Sequence, residues 1–301
     1  MFLSYKKLCV DVHHVEYAIV KSAKTECLCL QAPLTEGGRL KKGFRGMQFF
    51  YSLDKEHIFE PLSICEDDDK QIINALYSYT GSGLLQDFLK VVPIAWHYAS
   101  GKRLGRILRT LHDGSLSQSD EQKAQDRHNA FMERLAEYIG KLAHFKNDRY
   151  ALEAISTRYD HFSLYKSCMR YGAFRHQKIM ISKEGNLFLL PSASYGPGDI
   201  CEDFALLELE SAGLYPLLCA GVIDGYFKGQ IPPQFWLHFA LYCALYSLWK
   251  GAKNVLIDGK IDYWQAQCDR VRYDFNDFKT PIPRWFADDA TAAIRKEAQG
   301  L

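Results

Sequence analysis

The sequence lacks an excess of charge of either sign. Lys and Arg total 37 and Asp and Glu total 36, which gives a formal net charge of +1 over 301 residues. A chain without strong positive charge has no general electrostatic attraction to nucleic acid or to anionic membranes, so we expect neither as a partner. A hydrophobic fraction of 48% also excludes a mainly disordered chain.

The cysteines lack the spacing of a metal site or a redox motif. Nine cysteines are present, an odd number, and no C-x-x-C pair occurs. We therefore predict reduced thiols that lie mostly in the core. Lys6 and Lys7 are not followed by the apolar segment that a signal peptide needs. Both observations favour the reducing environment of the cytoplasm.

Only one long segment of the sequence is free of charged residues. Ile231–Trp249 contains no Asp, Glu, Lys or Arg and comes close to the ~20 residues that a membrane span needs. It includes two prolines, a glutamine and a histidine, and the chain has no second segment of this kind. We predict a buried helix of a soluble domain, with a membrane span as the alternative.

The periodicity of residues 1–82 predicts a small, strand-rich domain. Tyr17–Val20 and Cys27–Leu30 form a hairpin pattern, and Gln71–Tyr79 is typical of a further strand. Between them, Leu40–Tyr51 shows apolar residues at helical spacing. This helix is basic, with no acidic residue from 37 to 53, which makes it a candidate contact surface.

The remaining residues predict a helical domain that is interrupted by one hairpin. Two apolar stripes at helical spacing are formed by Leu104, Leu108 and Leu111, and by Phe131, Leu135, Tyr138, Leu142 and Phe145. Ile179–Leu190 has the pattern of a tight hairpin. A break at Thr80–Gly83 separates the two parts, so we predict domains at 1–82 and 83–301 in an α+β fold.

Four segments carry a resemblance to a known family. They are Gly105–His112, Tyr171–Ile181, Leu190–Phe204 and Gly225–Ala240. In this order and at these separations they resemble the aminoglycoside-phosphotransferase-like family, and the resemblance covers nearly the whole chain. It implies the two-lobed protein-kinase-like fold, in which a small strand-rich lobe precedes a larger helical lobe with the catalytic-loop hairpin.

The resemblance also indicates which catalytic groups are missing. In the family, an Asp of the catalytic loop orients the substrate hydroxyl, an Asn and a second Asp hold Mg²⁺, and a basic residue of the third strand meets the nucleotide phosphates. These positions correspond to Ala173, Lys178, Pro191 and, on or near the third strand, Gln31. The resemblance therefore implies no catalytic residue, no metal site and no use of Mg²⁺.

A shifted alignment does not restore the metal site. Between His161 and Gly198 the only acidic residue is Glu184, which lies in the predicted hairpin turn. The helix glutamate of the family would fall near Gly43–Arg45, and its glycine-bearing first loop near Asp11–Val15. Neither segment contains the required residue.

Two groups of residues are assigned other roles by the resemblance. Gly198, Asp199 and Asp203 match a family segment whose Asp is structural, and we expect a structural role for them. Arg175 and Lys178 place two cations where the family holds a metal. We expect this region to bind a metal-free anion or to be filled by its own side chains. The alternative is that both cations pair with the nearby acidic residues or reach solvent.

Two functions of different classes follow. The first is a catalytically inactive, kinase-like module that binds a protein partner or a small ligand, in an oligomeric state that the sequence does not specify. Nucleotide binding without Mg²⁺, through the backbone near the hinge residues Tyr77 and Tyr79, is compatible with this function. The alternative is a phosphotransferase that moves phosphate from ATP to a hydroxyl with displaced carboxylates from Asp199, Asp203 or Glu66–Asp69. Binding of ATP that requires Mg²⁺ distinguishes the second function from the first.

Overall fold

The computed structural model describes residues 4–11, 14–21, 25–79, 83–116, 121–158 and 167–299. The chain forms two compact units. The first contains residues 1–90 with 171–173 and 177–195, and the second contains residues 91–170, 174–176 and 196–301. The domain boundary after residue 82 stays a prediction, and residues 80–82 of the predicted hinge lie outside the described residues.

The first unit is built on a five-stranded antiparallel sheet. Its strands are β1 (Ser4–Val10), β2 (Glu16–Lys21), β3 (Glu26–Pro33), β4 (Pro61–Asp67) and β5 (Ile72–Ser78). Their order across the sheet is β1-β2-β3-β5-β4. The hairpin predicted in the first 30 residues is confirmed by β2 and β3, and the strand predicted over 71–79 is confirmed by β5.

Helix α1 (Gly37–Leu53) packs on one face of this sheet, which confirms the helix predicted over 40–51. The ring centroids of Phe44 on α1 and Tyr77 on β5 lie 5.6 Å apart. Tyr77 is paired in register with Leu28 of β3. Because alternate residues of a strand point to opposite faces, Leu28 lies on the face of α1 and Gln31 lies on the other face.

A three-stranded sheet completes the first unit. Its strands are β6 (Gly83–Leu84), β8 (Ile179–Ile181) and β9 (Leu187–Leu189), in the order β6-β8-β9, and α2 (Leu85–Leu89) follows β6. The antiparallel pair of β8 and β9 confirms the predicted hairpin. Its turn carries Glu184, which is exposed to solvent.

The second unit is mostly helical. Its helices are α3 (Ile94–Asp113), α4 (Glu121–Lys141), α5 (Arg149–Thr157), α6 (Ile200–Leu207), α7 (Pro216–Phe227), α8 (Pro233–Asp258), α9 (Ile261–Asp274), α10 (Arg284–Ala287) and α11 (Asp289–Gln299). Two short strands, β7 (Cys168–Arg170) and β10 (Gly196–Gly198), pair antiparallel. A sheet-based unit and a helical unit confirm the α+β class.

Helices α3 and α7 pack closely because both have glycines four residues apart. These are Gly101 and Gly105 on α3 and Gly221 and Gly225 on α7. A Cβ atom at Gly101 or Gly105 would lie 2.1 Å from a carbonyl oxygen of α7. A side chain at either position would push the two helices apart. The predicted apolar stripe of α3 is fully buried.

The apolar stripe predicted around α4 is only partly helical. Helix α4 ends at Lys141, so Leu142 and Phe145 follow it in the chain, although both are buried. The backbone N–H of Phe145 donates to the Tyr138 hydroxyl oxygen at 3.0 Å. This bond turns the chain back onto the last turns of α4 and thereby buries the two residues without extending the helix.

Helix α8 contains most of the charge-free segment. Phe235, Ala240 and Leu241 point in three different directions around α8 and are 0%, 1% and 0% exposed, so the helix is buried on all sides. Among the described residues, no helix is long and apolar enough to cross a membrane. All nine cysteines are free thiols and six of them are buried, which confirms the prediction of unpaired, mostly buried cysteines.

Candidate functional site

The segment that resembles the catalytic loop, Tyr171–Lys178, contains no acidic residue. Ala173, at the position of the catalytic Asp of the family, is 5% exposed. The hydroxyl group of Tyr171 donates a hydrogen bond to the carbonyl oxygen of Leu190. This bond connects the start of the loop to the residue that follows β9, so the position of the loop is fixed without a carboxylate.

Lys178, at the position of the metal-binding Asn, is surrounded by side chains of the first unit. Its Nζ donates to the Tyr17 hydroxyl oxygen at 2.6 Å and lies 4.2 Å from the centroid of the Tyr17 ring. Asp11 Oδ2 is 3.6 Å from the same Nζ, and the two side chains are only 13% and 19% exposed. The Asp11 side chain is held by a local hydrogen bond, because its Oδ1 accepts from the Val15 N–H at 3.1 Å. A cation, a phenol and a carboxylate thus lie together at this position.

Arg175 belongs to the second unit and has a separate partner. Its Nη1 lies 2.9 Å from Glu210 Oε1, and Glu210 lies in the π-helical turn Glu208–Ala212 that follows α6. Arg175 and Lys178 thus have different acidic neighbours, Glu210 and Asp11. Glu210 is 35 residues from Arg175 in the sequence, and no local pattern points to it.

Gln31 contacts the neighbouring strand β5. Its Nε2 donates to Asn74 Oδ1 at 2.9 Å on the face opposite to α1. The residues of β3 that share the face of α1 are Leu28, Leu30 and Ala32, which are 0%, 2% and 1% exposed. That face of β3 is therefore apolar at these three positions, and the correspondence of Gln31 with the basic residue of the family stays a prediction.

Pro191 is buried and introduces a segment that packs on α1. A Cβ at Gly43 would lie 3.5 Å from the backbone nitrogen of Ala193, and one at Gly46 would lie 2.6 Å from the Tyr195 ring. Gly43 thus approaches the backbone at the place where the resemblance implies a helix glutamate. A longer side chain at Gly46 would displace Tyr195.

The two tyrosines of the predicted hinge differ in exposure. The Tyr77 side chain is 0% exposed, and burial raises the pKa of its hydroxyl. Its hydroxyl has no hydrogen-bond partner among the described residues. Tyr79 is half-buried, and burial also raises its pKa. The Tyr77 side chain faces the core, and Tyr77 is paired with Leu28 of β3 on one side and with Pro61 of β4 on the other.

Asp199 begins α6 as its N-cap. Its carboxylate accepts from the Cys201 N–H at 2.8 Å, and Glu202 Oε1 accepts from the Asp199 N–H at 3.2 Å, which is a capping box. Burial raises the pKa of Asp199, and the hydrogen bond from Cys201 opposes that rise. A Cβ at Gly198 would lie 2.5 Å from Glu202 Oε1. Gly198 and Asp199 therefore have structural contacts in the second unit.

Glu202, on α6, is a buried carboxylate of the segment that includes Asp199 and Asp203. Its Oε2 lies 2.8 Å from Arg134 Nη1 and 3.0 Å from Arg170 Nε. The Tyr246 hydroxyl donates to the same oxygen at 2.8 Å. Glu202 is 4% exposed, so one buried carboxylate pairs with two arginines of different elements inside the helical unit.

Asp203 pairs with His112, the histidine at the end of the α3 segment. Asp203 Oδ2 lies 3.1 Å from His112 Nε2, and both side chains are 0% exposed. His112 Nδ1 lies 3.1 Å from the Tyr226 hydroxyl oxygen. Both ring nitrogens thus have protein partners, and the pair connects α3, α6 and α7 rather than facing a substrate.

The acidic run Glu66–Asp69 is partly a strand. The alternative function uses this run as a source of displaced carboxylates. Glu66 and Asp67 end β4 and pair with Lys41 at 2.7 Å and Lys70 at 2.9 Å. Across the described part of the chain, no group of three or more His, Cys, Asp and Glu side chains is placed to hold a metal ion.

The residues at the positions that the resemblance assigns to the metal do not fit Mg²⁺. Hard cations such as Mg²⁺ take oxygen ligands, carboxylates above all. Lys178 supplies an ammonium group, and neither Ala173 nor Pro191 supplies a side-chain oxygen. The nearby carboxylate of Asp11 lies 3.6 Å from that ammonium group, which would repel a metal ion.

Comparisons with known proteins agree with this fold. No family model and no curated protein matches the sequence. The crystal structure of aminoglycoside phosphotransferase APH(4)-Ia is similar with a TM-score of 0.67 and 12% identity over 90% of this chain and 93% of that chain. Choline kinase LicA from Streptococcus pneumoniae gives a TM-score of 0.58 and 14% identity over 90% of this chain and 92% of that chain.

A further similar structure is macrolide 2'-phosphotransferase MphH from Brachybacterium faecium, with a TM-score of 0.59 and 12% identity over 88% of this chain and 90% of that chain. The resemblance to the aminoglycoside-phosphotransferase-like family is thus confirmed at the level of the fold. The chain has the fold of small-molecule phosphotransferases.

Proposed function

We propose that this chain is a catalytically inactive kinase-fold protein that acts as a binding or regulatory module. The observation that carries the proposal is the position of Lys178, whose amine contacts Tyr17 at 2.6 Å where the fold would place a metal ligand. Ala173 and Pro191 add no oxygen ligand at the other two positions. A phosphoryl transfer that depends on positioned Mg²⁺ and a positioned carboxylate has neither here.

The electrostatics near Lys178 also disfavour bound nucleotide phosphates. Asp11, 3.6 Å from Lys178 Nζ, places a carboxylate beside the amine, and phosphate groups would be repelled by it. The face of β3 that lies towards α1 contributes only apolar side chains, Leu28, Leu30 and Ala32. These contacts favour a region filled by its own side chains over an open anion site.

The alternative, a phosphotransferase with displaced carboxylates, has its candidate residues already engaged. Asp199 caps α6 and Asp203 pairs with His112 inside the second unit. Glu66 and Asp67 form ion pairs with lysines at the surface. Each of these carboxylates would have to leave a partner before it could bind a metal.

The test is a thermal-shift titration with ATP, ADP and GTP, each with and without Mg²⁺. A ligand at 100 times its Kd stabilises a protein by about 2.7 kcal/mol, which is a readable change of Tm. We expect no change of Tm that depends on Mg²⁺. A shift that requires Mg²⁺ contradicts the proposal and would favour the phosphotransferase.

A further inference from the structure

Helix α1 carries more positive charge than the rest of the chain. It contains Arg39, Lys41, Lys42 and Arg45, and residues 37–53 include no Asp or Glu. The whole chain, by contrast, has a net charge of only +1. Lys41, Lys42 and Arg45 are exposed, so this local excess of charge is presented to solvent.

Ion pairs within the chain neutralise only part of this charge. Lys41 Nζ lies 2.7 Å from Glu66 Oε1 of β4. Within the described ranges, no carboxylate forms an ion pair with Lys42 or Arg45. These two residues are three apart on the helix, where like charges repel and disfavour the helix. The pair therefore adds no stability to α1, which points to a role in binding.

The surface beside these cations is fixed by close packing. Gly46 lets the Tyr195 ring approach so closely that a Cβ would lie 2.6 Å from it. Lys42 Nζ lies 5.7 Å from the centroid of the same ring, and Ser194 beside Tyr195 is exposed. We name Lys42, Arg45, Ser194 and Tyr195 the α1 basic surface. The Tyr195 ring is thereby fixed beside the two cations, so this ring loses little conformational entropy when a partner binds.

We propose that the α1 basic surface binds an acidic segment of a protein partner; this names the partner class of the inactive module and so rests on the proposed function. Residues three apart on a helix have Cβ atoms about 5–6 Å apart. Alternate residues of an extended peptide lie about 6.6 Å apart. Carboxylates at alternate positions of such a peptide therefore match Lys42 and Arg45, beside the ring of Tyr195.

A protein segment fits this surface better than nucleic acid. Duplex DNA carries one negative charge per about 1.7 Å of its axis and is held by many cations. The α1 basic surface offers two exposed cations, and a net charge of +1 gives no long-range attraction to a polyanion. A short acidic peptide needs no more than this local complementarity.

The test measures binding of a fluorescently labelled peptide with Glu at four alternate positions, by anisotropy at low and at physiological salt. The same peptide with Gln at those positions is the ligand control. We expect the Lys42→Glu/Arg45→Glu variant to bind the Glu peptide roughly tenfold more weakly, because two attractions become repulsions. Lys6→Glu/Lys183→Glu is the matched control, since both lysines are exposed and lie in the first unit.

Each other outcome overturns the inference. Equal affinity of the wild type and the Lys42→Glu/Arg45→Glu variant excludes the surface, as does an equal loss in the control variant. The wild type could instead bind a single-stranded oligonucleotide or phosphatidylserine vesicles more tightly than the Glu peptide. If the Lys42→Glu/Arg45→Glu variant loses that binding, the partner is the polyanion and not a protein. Nucleotide binding that requires Mg²⁺ contradicts the proposed function without changing the peptide result, so the two proposals fail separately.

Discussion

The helical unit and the sheet-based unit differ in where their acidic side chains lie. In the helical unit, Asp199, Glu202 and Asp203 are all buried and each has a protein partner. In the sheet-based unit, the positions that the family resemblance assigns to catalysis and metal binding are Ala173, Lys178 and Pro191, and none is acidic. Buried carboxylates are thus present in the core of the helical unit and absent from those three positions. The difference indicates that the carboxylates of the helical unit serve its packing.

The largest expected effect is the loss of Glu202. Its replacement by Ala leaves Arg134 and Arg170 buried without their carboxylate, which costs about 3–5 kcal/mol when one partner of a buried ion pair is removed. Urea unfolding of Glu202→Ala and wild type measures the change. The matched control is Glu184→Ala in the exposed hairpin turn, which we expect to leave the midpoint unchanged. Similar midpoints for wild type and Glu202→Ala would contradict the structural role.

A pH effect is expected from Glu208, another carboxylate of the helical unit. Burial is the main cause that raises its pKa to about 7, and Asp274 adds to the rise while Arg270 opposes it. The folded state therefore holds this proton more tightly than the unfolded state, whose pKa is 4.5. The stabilisation is fully present below pH 4.5 and is lost as pH rises through about 7.

The measurement compares the free energy of unfolding at pH 5 and pH 8 in wild type and Glu208→Gln. We expect the free energy of unfolding of the wild type to fall by an amount on the order of 1–3 kcal/mol from pH 5 to pH 8, and that of the variant to fall by less. Trp285 Nε1 donates to Glu208 Oε2 at 2.7 Å, and Gln keeps an acceptor for it. An equal pH dependence in both proteins rules out Glu208 as its source.

The loss of the N-cap at Asp199 has a smaller expected effect. Asp199→Ala removes the acceptor of the Cys201 N–H at the start of α6, which costs about 1–2 kcal/mol. Asp199→Asn retains an acceptor oxygen and serves as the control, with a smaller loss of Tm. If Asn and Ala destabilise the protein equally, the cap is not the main contribution of this residue.

The smallest effect is expected in the sheet-based unit. Lys178→Met removes the amine but keeps an apolar stem against the Tyr17 ring, and the ion pair that is lost is longer, at 3.6 Å, than the 2.8 Å pair of Arg134 and Glu202. Denaturant unfolding should give a difference of about 1 kcal/mol. A loss as large as that of Glu202→Ala would remove the contrast between the two units.

Much of the fold could be predicted from periodicity, because burial on one face imposes a pattern on the residues. The β2–β3 hairpin, α1 and the long helix α8 all follow from such patterns. Strand β4 was not predicted, since it is mostly exposed, with Leu62 48% exposed. A strand with little burial has no apolar alternation to reveal it.

The sequence predicts which acidic residues the candidate site lacks, but it does not predict which residues contact Lys178 and Arg175. The missing acidic residues around Ala173 and Pro191 are visible in the sequence itself. The face on which Gln31 lies depends on the register of β3, because a shift of one residue moves a side chain to the other face of a strand. Asp11 and Glu210 approach Lys178 and Arg175 only through the tertiary fold, and no sequence spacing encodes these contacts.

The most direct test of the central claim is whether the protein binds a metal–nucleotide complex. Mn²⁺ prefers the same oxygen ligands as Mg²⁺ and is paramagnetic, so the relaxation rate of water protons reports its binding to the protein. We predict that adding the protein to Mn·ATP leaves this rate unchanged. A rise in the rate that increases with protein concentration and disappears on chelation would show a metal–nucleotide site and contradict the inactive module.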